Sequence, residues 1–117
     1  MVSYTLDIQP LINSVRITVG DPDFAIINDD MIMESLEDAF DFVCLVAAPD
    51  IELRHVRRCT IRHASYNAYQ LYTTMAEKRF GTLPESAPIL LQTLLSKAHT
   101  CLSYISAVPI NNDLSIN

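Results

Sequence analysis

Glycine occurs only twice in this chain of 117 residues, at Gly20 and Gly81. A turn-rich β-sandwich needs left-handed residues at many tight turns, and a phosphate-cradling loop needs clustered glycines, so the chain is poorly supplied for either. It is better supplied for helices, which need a left-handed residue only where they stop. Gly20 and Gly81 each follow a segment with helical apolar periodicity, so both read as helix stops.

Working outward from those two stops, the spacing predicts four helices. Asp7 caps a first helix with Ile8, Leu11, Ile12, Val15 and Val19 on one face. Pro10 falls in its first turn, where the missing N–H bonds nothing. Asn28 caps a second helix, with Asp29 and Asp30 in the first turn, where the helix dipole favours negative charge. Ile27 and Ile32 flank that cap at hydrophobic-staple spacing, and the stripe Ile32, Leu36, Ala39, Phe40 and Val43 follows. Asp50 is the expected cap of a long third helix running to about Phe80. Its stripe is Leu53, Val56, Thr60, Ala64, Ala68, Leu71 and Met75, with small residues at the middle where another helix can approach closely. Ser86 caps a fourth helix with Leu91, Leu94, Leu95, Ala98, Leu102 and Ile105 inward, ended by Pro109. No segment shows convincing strand alternation. The expectation is an all-α fold, a four-helix bundle-like domain over 1–108 with a long third helix, and an extended C-terminal tail over 109–117.

Half of the residues are hydrophobic and 19% are charged, a globular balance for one domain. Cys44, Cys59 and Cys101 are too few and too scattered for a disulfide framework or a zinc site, and read as small buried hydrophobes in a reducing cytosol. "MVSYTLDIQP" has no basic region or long apolar run, so no signal peptide is expected, and no stretch approaches the length of a membrane span.

The charge is unevenly placed. Acidic residues number 14 against 8 Lys/Arg, a net charge of −6. Yet "RHVRRCTIRH", residues 54 to 63, gathers Arg54, Arg57, Arg58 and Arg62, half of the Lys/Arg total. Arg54, Arg58 and Arg62 recur every four residues and form one ridge of the third helix, which Tyr66, Tyr69 and Phe80 continue away from the core stripe. One reading is a solvated face whose arginines pair with the acidic side of the second helix, Glu34, Glu37, Asp38 and Asp41. The other is a contact surface, because arginine and tyrosine are enriched where proteins meet. A nucleic-acid track is the minor form of that second reading, since the net charge opposes phosphate affinity. Arg57, at the edge of the apolar arc, is expected to reach a partner carboxylate.

Motifs for chemistry are missing: there is no HExxH, GxSxG, GxxxxGK[ST] or CxxC. His55 and His63 lack carboxylates at ligand spacing and His99 stands alone, so surface or interface roles are expected of all three. No catalytic residue, metal ligand or cofactor is expected. The tail holds Ile110, Leu114 and Ile116 in a segment without a core of its own. It reads either as a loose terminus or as a strap that docks on a partner.

The stretch "VRITVGDPDFAIINDDMIMESLEDAFDFV", residues 15 to 43, resembles the opening of head-to-tail connector (adaptor, neck) proteins of tailed bacteriophages. Those begin with a short helix ending in a Gly-Asp turn, here Gly20-Asp21, then an Asp-rich cap, here Asn28 to Asp30, then an amphipathic helix. The remaining layout is also similar: a long helix rich in Ala and Tyr, a break, a fourth helix and an extended tail. The Pro84/Pro88 break and the short tail depart from the commoner pattern. The resemblance implies a structural virion protein without catalytic activity, made in the host cytoplasm and placed in the neck between capsid and tail. It implies a homo-oligomeric ring, commonly a dodecamer, that binds the portal protein above and a tail or tail-terminator protein below. DNA passes through its channel without specific binding. By position, the segment from Ala107 onward, with Ile110, Leu114 and Ile116, corresponds to the portal-docking tail. Arg54, Arg58, Arg62, Tyr66 and Tyr69 would then face Glu34, Glu37, Asp38 and Asp41 of the next subunit. The alternative from another class is a small helical regulator whose basic third helix contacts nucleic acid.

Overall fold

The computed structural model of the chain describes residues 5–20, 26–83 and 85–106. A 3-10 turn over Gln9–Leu11 leads into α1 (Ile12–Val19), followed by α2 (Asp29–Val46), α3 (Leu53–Phe80) and α4 (Ala87–Ile105). No strand occurs among the described residues, and the fold is all-α, as the spacing predicts.

The helix ends follow local chemistry. The start of the first helical segment differs from expectation: Ile8 precedes the 3-10 turn and Leu11 precedes α1, neither end has a side-chain cap, and the Asp7 carboxylate accepts only the Gln9 N–H, at 3.3 Å. Gly20 has φ +83° and its N–H donates to the Arg16 carbonyl, closing α1 in the left-handed conformation that costs glycine least. Asn28 is the α2 cap, its side-chain oxygen accepting the Met31 N–H at 3.0 Å. Ile27 and Ile32, at staple spacing around it, are both fully buried. Gly81, φ +80°, ends α3 in the same way as Gly20 ends α1. The start of α3 differs from expectation: Glu52, not Asp50, is the capping residue, and no side chain caps it. Asp50 lies in the turn that precedes, where the Ile51 N–H donates to the Ala48 carbonyl.

α3 is the spine. α2 packs along one side of it and α4 along another, while α1 packs against its middle. The C-terminal ends of α2 and α4 meet: the Ala48 N–H donates to the Ile105 carbonyl at 2.8 Å beside an antiparallel bridge between Ala47 and Ser106. α2 and α4 thus run in the same direction, both against α3. The Cα extents, 45 × 35 × 16 Å, describe a slab. Helices pack about 8–10 Å apart, so the thin dimension holds two layers.

The core has two parts. One, around Val15, Ile32, Leu36, Ala64, Ala68 and Leu94, joins all four helices. The other joins Val43, Val56, Cys59, Leu102 and Ile105 near the bridged ends. Along α3 the buried side rotates between them. Val56, Cys59 and Thr60 are covered in the first half, and Ala64, Ser65, Ala68, Tyr69, Thr73 and Ala76 later. Two expectations fail for this reason. Leu53 and Leu71, assigned to a single core stripe, are 42% and 36% exposed, and Tyr69, assigned to the outward ridge, is 3% exposed.

The cysteines also differ from expectation. Cys59 of α3 and Cys101 of α4 form a disulfide, with Cα atoms 5.5 Å apart. Helix packing creates that proximity between positions 42 apart in sequence, a separation that carries no motif. Cys44 is free and half-buried, and burial, with the Asp41 carboxylate nearby, pushes its thiol above the ordinary range. No helix among the described residues is long and apolar enough to cross a membrane.

Candidate interaction surface

α1 covers α3 near its middle and leaves the first two turns of α3 open on that side. Arg54, Arg57, Arg58, Ile61 and Arg62 line a depression there of about 360 Å³. Arg54, Arg57 and Arg58 are exposed, whereas Arg62 is half-buried. Arg54 bonds the Glu52 carboxylate at 3.0 Å, and His55 lies 3.7 Å from the same oxygen. Both members of the Arg54–Glu52 pair are nearly two-thirds exposed, so it contributes at most about 1 kcal/mol. No other arginine of this group pairs with a carboxylate among the described residues. The reading in which they neutralise α2 within the chain therefore does not hold. Arg57 likewise reaches no carboxylate among the described residues and joins the other three around the depression.

The acidic side belongs to α2. Glu34, Glu37, Asp38 and Asp41 are all exposed, opposite the buried Ile32, Leu36, Ala39 and Val43. None of the four makes an ion pair among the described residues. Leu45, 76% exposed, extends this side toward the α2 C-terminus, and Tyr104 of α4 is 69% exposed near the bridged ends. The chain thus presents a positive side and a negative side, with no ion pair joining them among the described residues.

The tyrosines do not extend the positive side as the ridge geometry predicts. Tyr69 stacks on Tyr72 at 5.7 Å inside the main core, where burial, with Tyr72 next to it, raises its phenol above the ordinary range. Tyr66 is half-buried against the same core, and its hydroxyl accepts from Gln70 Nε2 at 2.9 Å. Phe80 is exposed at the far end of α3, distant in sequence from the arginines. Ile110, Leu114 and Ile116 of the expected docking tail lie outside the described residues.

His63 stacks on Phe42 with ring centroids 5.0 Å apart, and its Nδ1 is buried without a hydrogen-bond partner. Burial lowers its affinity for a proton, and His99 acts in the same direction. The unfolded chain therefore takes up this proton more readily than the folded one once pH drops below about 6.5. The stability held by neutral His63 is present above that value and is lost as pH falls through the lowered folded value. The melting temperature of His63→Gln is accordingly expected to decline less than that of the native chain between pH 7 and pH 5. Parallel declines in a calorimetric titration would remove His63 as the cause. No group of three or more His, Cys, Asp or Glu is placed to hold a metal ion among the described residues.

Two arrangements escape a reading of the sequence. Arg16, 3% exposed, donates from Nη1 to the Ile27 carbonyl at 3.0 Å and from Nη2 to the Asp29 carboxylate at 2.7 Å. It ties α1 to the start of α2 across the intervening loop. The placement of Asp29 in the first turn of α2 was the available signal, although a dipole role sufficed to explain it. The second is a crease of about 220 Å³ between α1, α3 and α4, lined by Thr18, Ile61, Arg62, Ser65, Leu94 and Lys97. Its members come from three distant segments, so no spacing announces it. Compared with known proteins, the chain matches no protein-family model, no curated protein sequence and no solved structure.

Proposed function

We propose that the chain is a structural protein of the phage neck, a head-to-tail connector whose copies form a ring between the portal and the tail and continue the DNA channel. One observation carries the proposal: Arg54 and Arg58 of α3 and the carboxylate side of α2 are exposed, opposite in sign and unpaired with each other among the described residues. A ring built from side-by-side contacts is heterologous, so each copy must present two unlike faces. The exposed Arg54 and Arg58 of one copy then meet Glu34, Glu37, Asp38 and Asp41 of the next, while the half-buried Arg62 lies at the inner edge of that contact. Complementary charge of this kind fixes register and disfavours wrong docking more than it adds affinity. The order of helices and the long central α3 agree with the connector layout, and the chain works by assembly rather than catalysis.

Charge reversal tests the contact. Arg58→Glu is expected to reduce ring formation at least about tenfold at low salt, because like charges brought together at an interface are strongly unfavourable. Adding Glu37→Arg to the same chain restores part of it. Negative-stain images of the purified variants, with and without portal rings, supply the readout. Normal assembly of Arg58→Glu at low salt would refute this pairing.

A further inference from the structure

We propose that the crease between α1, α3 and α4 is a binding site for a phosphate group, held by Arg62, Lys97 and the buried hydroxyl of Ser65. The inference goes beyond the ring contact and does not depend on it. Ser65 supplies the first argument. It is 1% exposed, it lines the crease, and its Oγ has no hydrogen-bond partner among the described residues. Hydroxyls on helices ordinarily resolve this by donating to the carbonyl four residues back. Thr18, Thr60, Thr74 and Thr93 all do so here, at 2.8–3.0 Å. Ser65 does not, so its donor remains for a group that enters the crease. A buried hydroxyl left without a partner costs about 1–3 kcal/mol, and such a group in a native fold calls for an explanation.

Charge supplies the second argument. Arg62 is half-buried and Lys97 stands across from it on α4, and no carboxylate among the described residues lines the crease or the neighbouring arginine depression. Neither cation pairs with a carboxylate among the described residues. A partly desolvated guanidinium without a counter-charge favours an anion over water, and hydrogen bonds between ionised groups are roughly twice as strong as neutral ones. The donor set also selects the anion. A planar guanidinium, an ammonium and a hydroxyl, set on two different helices, suit a tetrahedral oxyanion that accepts in several directions better than a two-oxygen carboxylate. The crease has room for such a group with part of its hydration shell. Arg62 also lines the arginine depression, so Arg54, Arg57 and Arg58 extend the positive potential outward from the site.

Inorganic phosphate is the probe, titrated into the full chain by calorimetry against sodium chloride at matched ionic strength. Saturable binding is expected, weakened about tenfold or more by Arg62→Gln and by Lys97→Gln, and about threefold by Ser65→Ala. Sulfate, of the same shape, competes, and acetate does not. A single-stranded oligonucleotide forms the other arm. If it binds with the same dependence on Ser65 and Arg62 and is displaced by inorganic phosphate, the phosphate group is the backbone of a nucleic acid and the site stands. The proposal is overturned if chloride or acetate reproduces the effect, or if Ser65→Ala leaves phosphate binding unchanged. It is equally overturned if only the oligonucleotide binds, steeply with salt and regardless of Ser65. Ser65→Ala places the best helix former within a helix, so loss of folding does not obscure the readout.

Discussion

Removing the Cys59–Cys101 bridge, by reduction or by the pair Cys59→Ala and Cys101→Ala, is expected to lower the melting temperature by roughly 8–15 °C. The bridge joins positions 42 apart, and a loop of that size loses about 4 kcal/mol of denatured-state entropy when closed, an upper bound that native strain usually reduces to about 2–4 kcal/mol. A domain of this length loses about 4 °C per kcal/mol. Both cysteines are buried, 1% and 6% exposed, so the reduced thiols still pack as small hydrophobes and the fold persists at lower stability. Cys44 is the internal control. Its raised thiol affinity for the proton leaves little thiolate to attack the bridge, so the pairing does not scramble. Cys44→Ser is expected to change stability by no more than about 0.5 kcal/mol. Alkylation without reductant should label one thiol per chain. Three labelled thiols, together with a melting temperature indifferent to reductant, would remove the bridge from the account.

The contrast between α2 and α3 shows which parts of this architecture are legible in the sequence. α2 has one buried side along its whole length, so cap, staple and stripe agree, and Asn28, Ile27, Ile32, Leu36, Ala39 and Val43 all take their expected places. The ends of α1 and α3 are legible for a simpler reason, since Gly20 and Gly81 alone supply the left-handed stops. α3 defeats a single helical wheel because its partners change along it. α2 and α4 bury its first half on one side, and α1 joins them farther along on another. Tyr69 therefore turns inward and Leu53 outward. The arginine cluster is visible in the sequence, but whether its charges are neutralised within the chain depends on where α2 points its carboxylates. Contacts assembled from distant segments, two for the disulfide and three for the crease of Thr18, Ser65 and Lys97, leave no periodic trace at all.

Leu36→Ala is expected to destabilise the chain by about 3–4 kcal/mol, a large share of the roughly 5–15 kcal/mol available to a domain. Leu36 is fully buried in the main core, where α2 faces the small residues Ala64 and Ala68 of α3, both fully buried as well. Truncation removes apolar area and opens a cavity, and the surrounding helices cannot close it freely. α3 is already bounded by α1, α2 and α4 at this level. The opposite kind of change in the same core, Ala68→Leu on α3, forces volume into a filled space and costs about 1–3 kcal/mol. Leu45→Ala on the same helix, at a position 76% exposed, changes the stability of the isolated chain by no more than about 0.5 kcal/mol. Urea titrations separate these cases, since a change of packing moves the midpoint and leaves the slope unaltered. A loss below about 1 kcal/mol for Leu36→Ala, with Ala68→Leu tolerated equally well, would mean that the core accommodates volume changes by sliding its helices. α3 would then not be a fixed spine, and the opposite charges of the α2 and α3 faces would lack the rigid spacing that a repeating contact between copies requires.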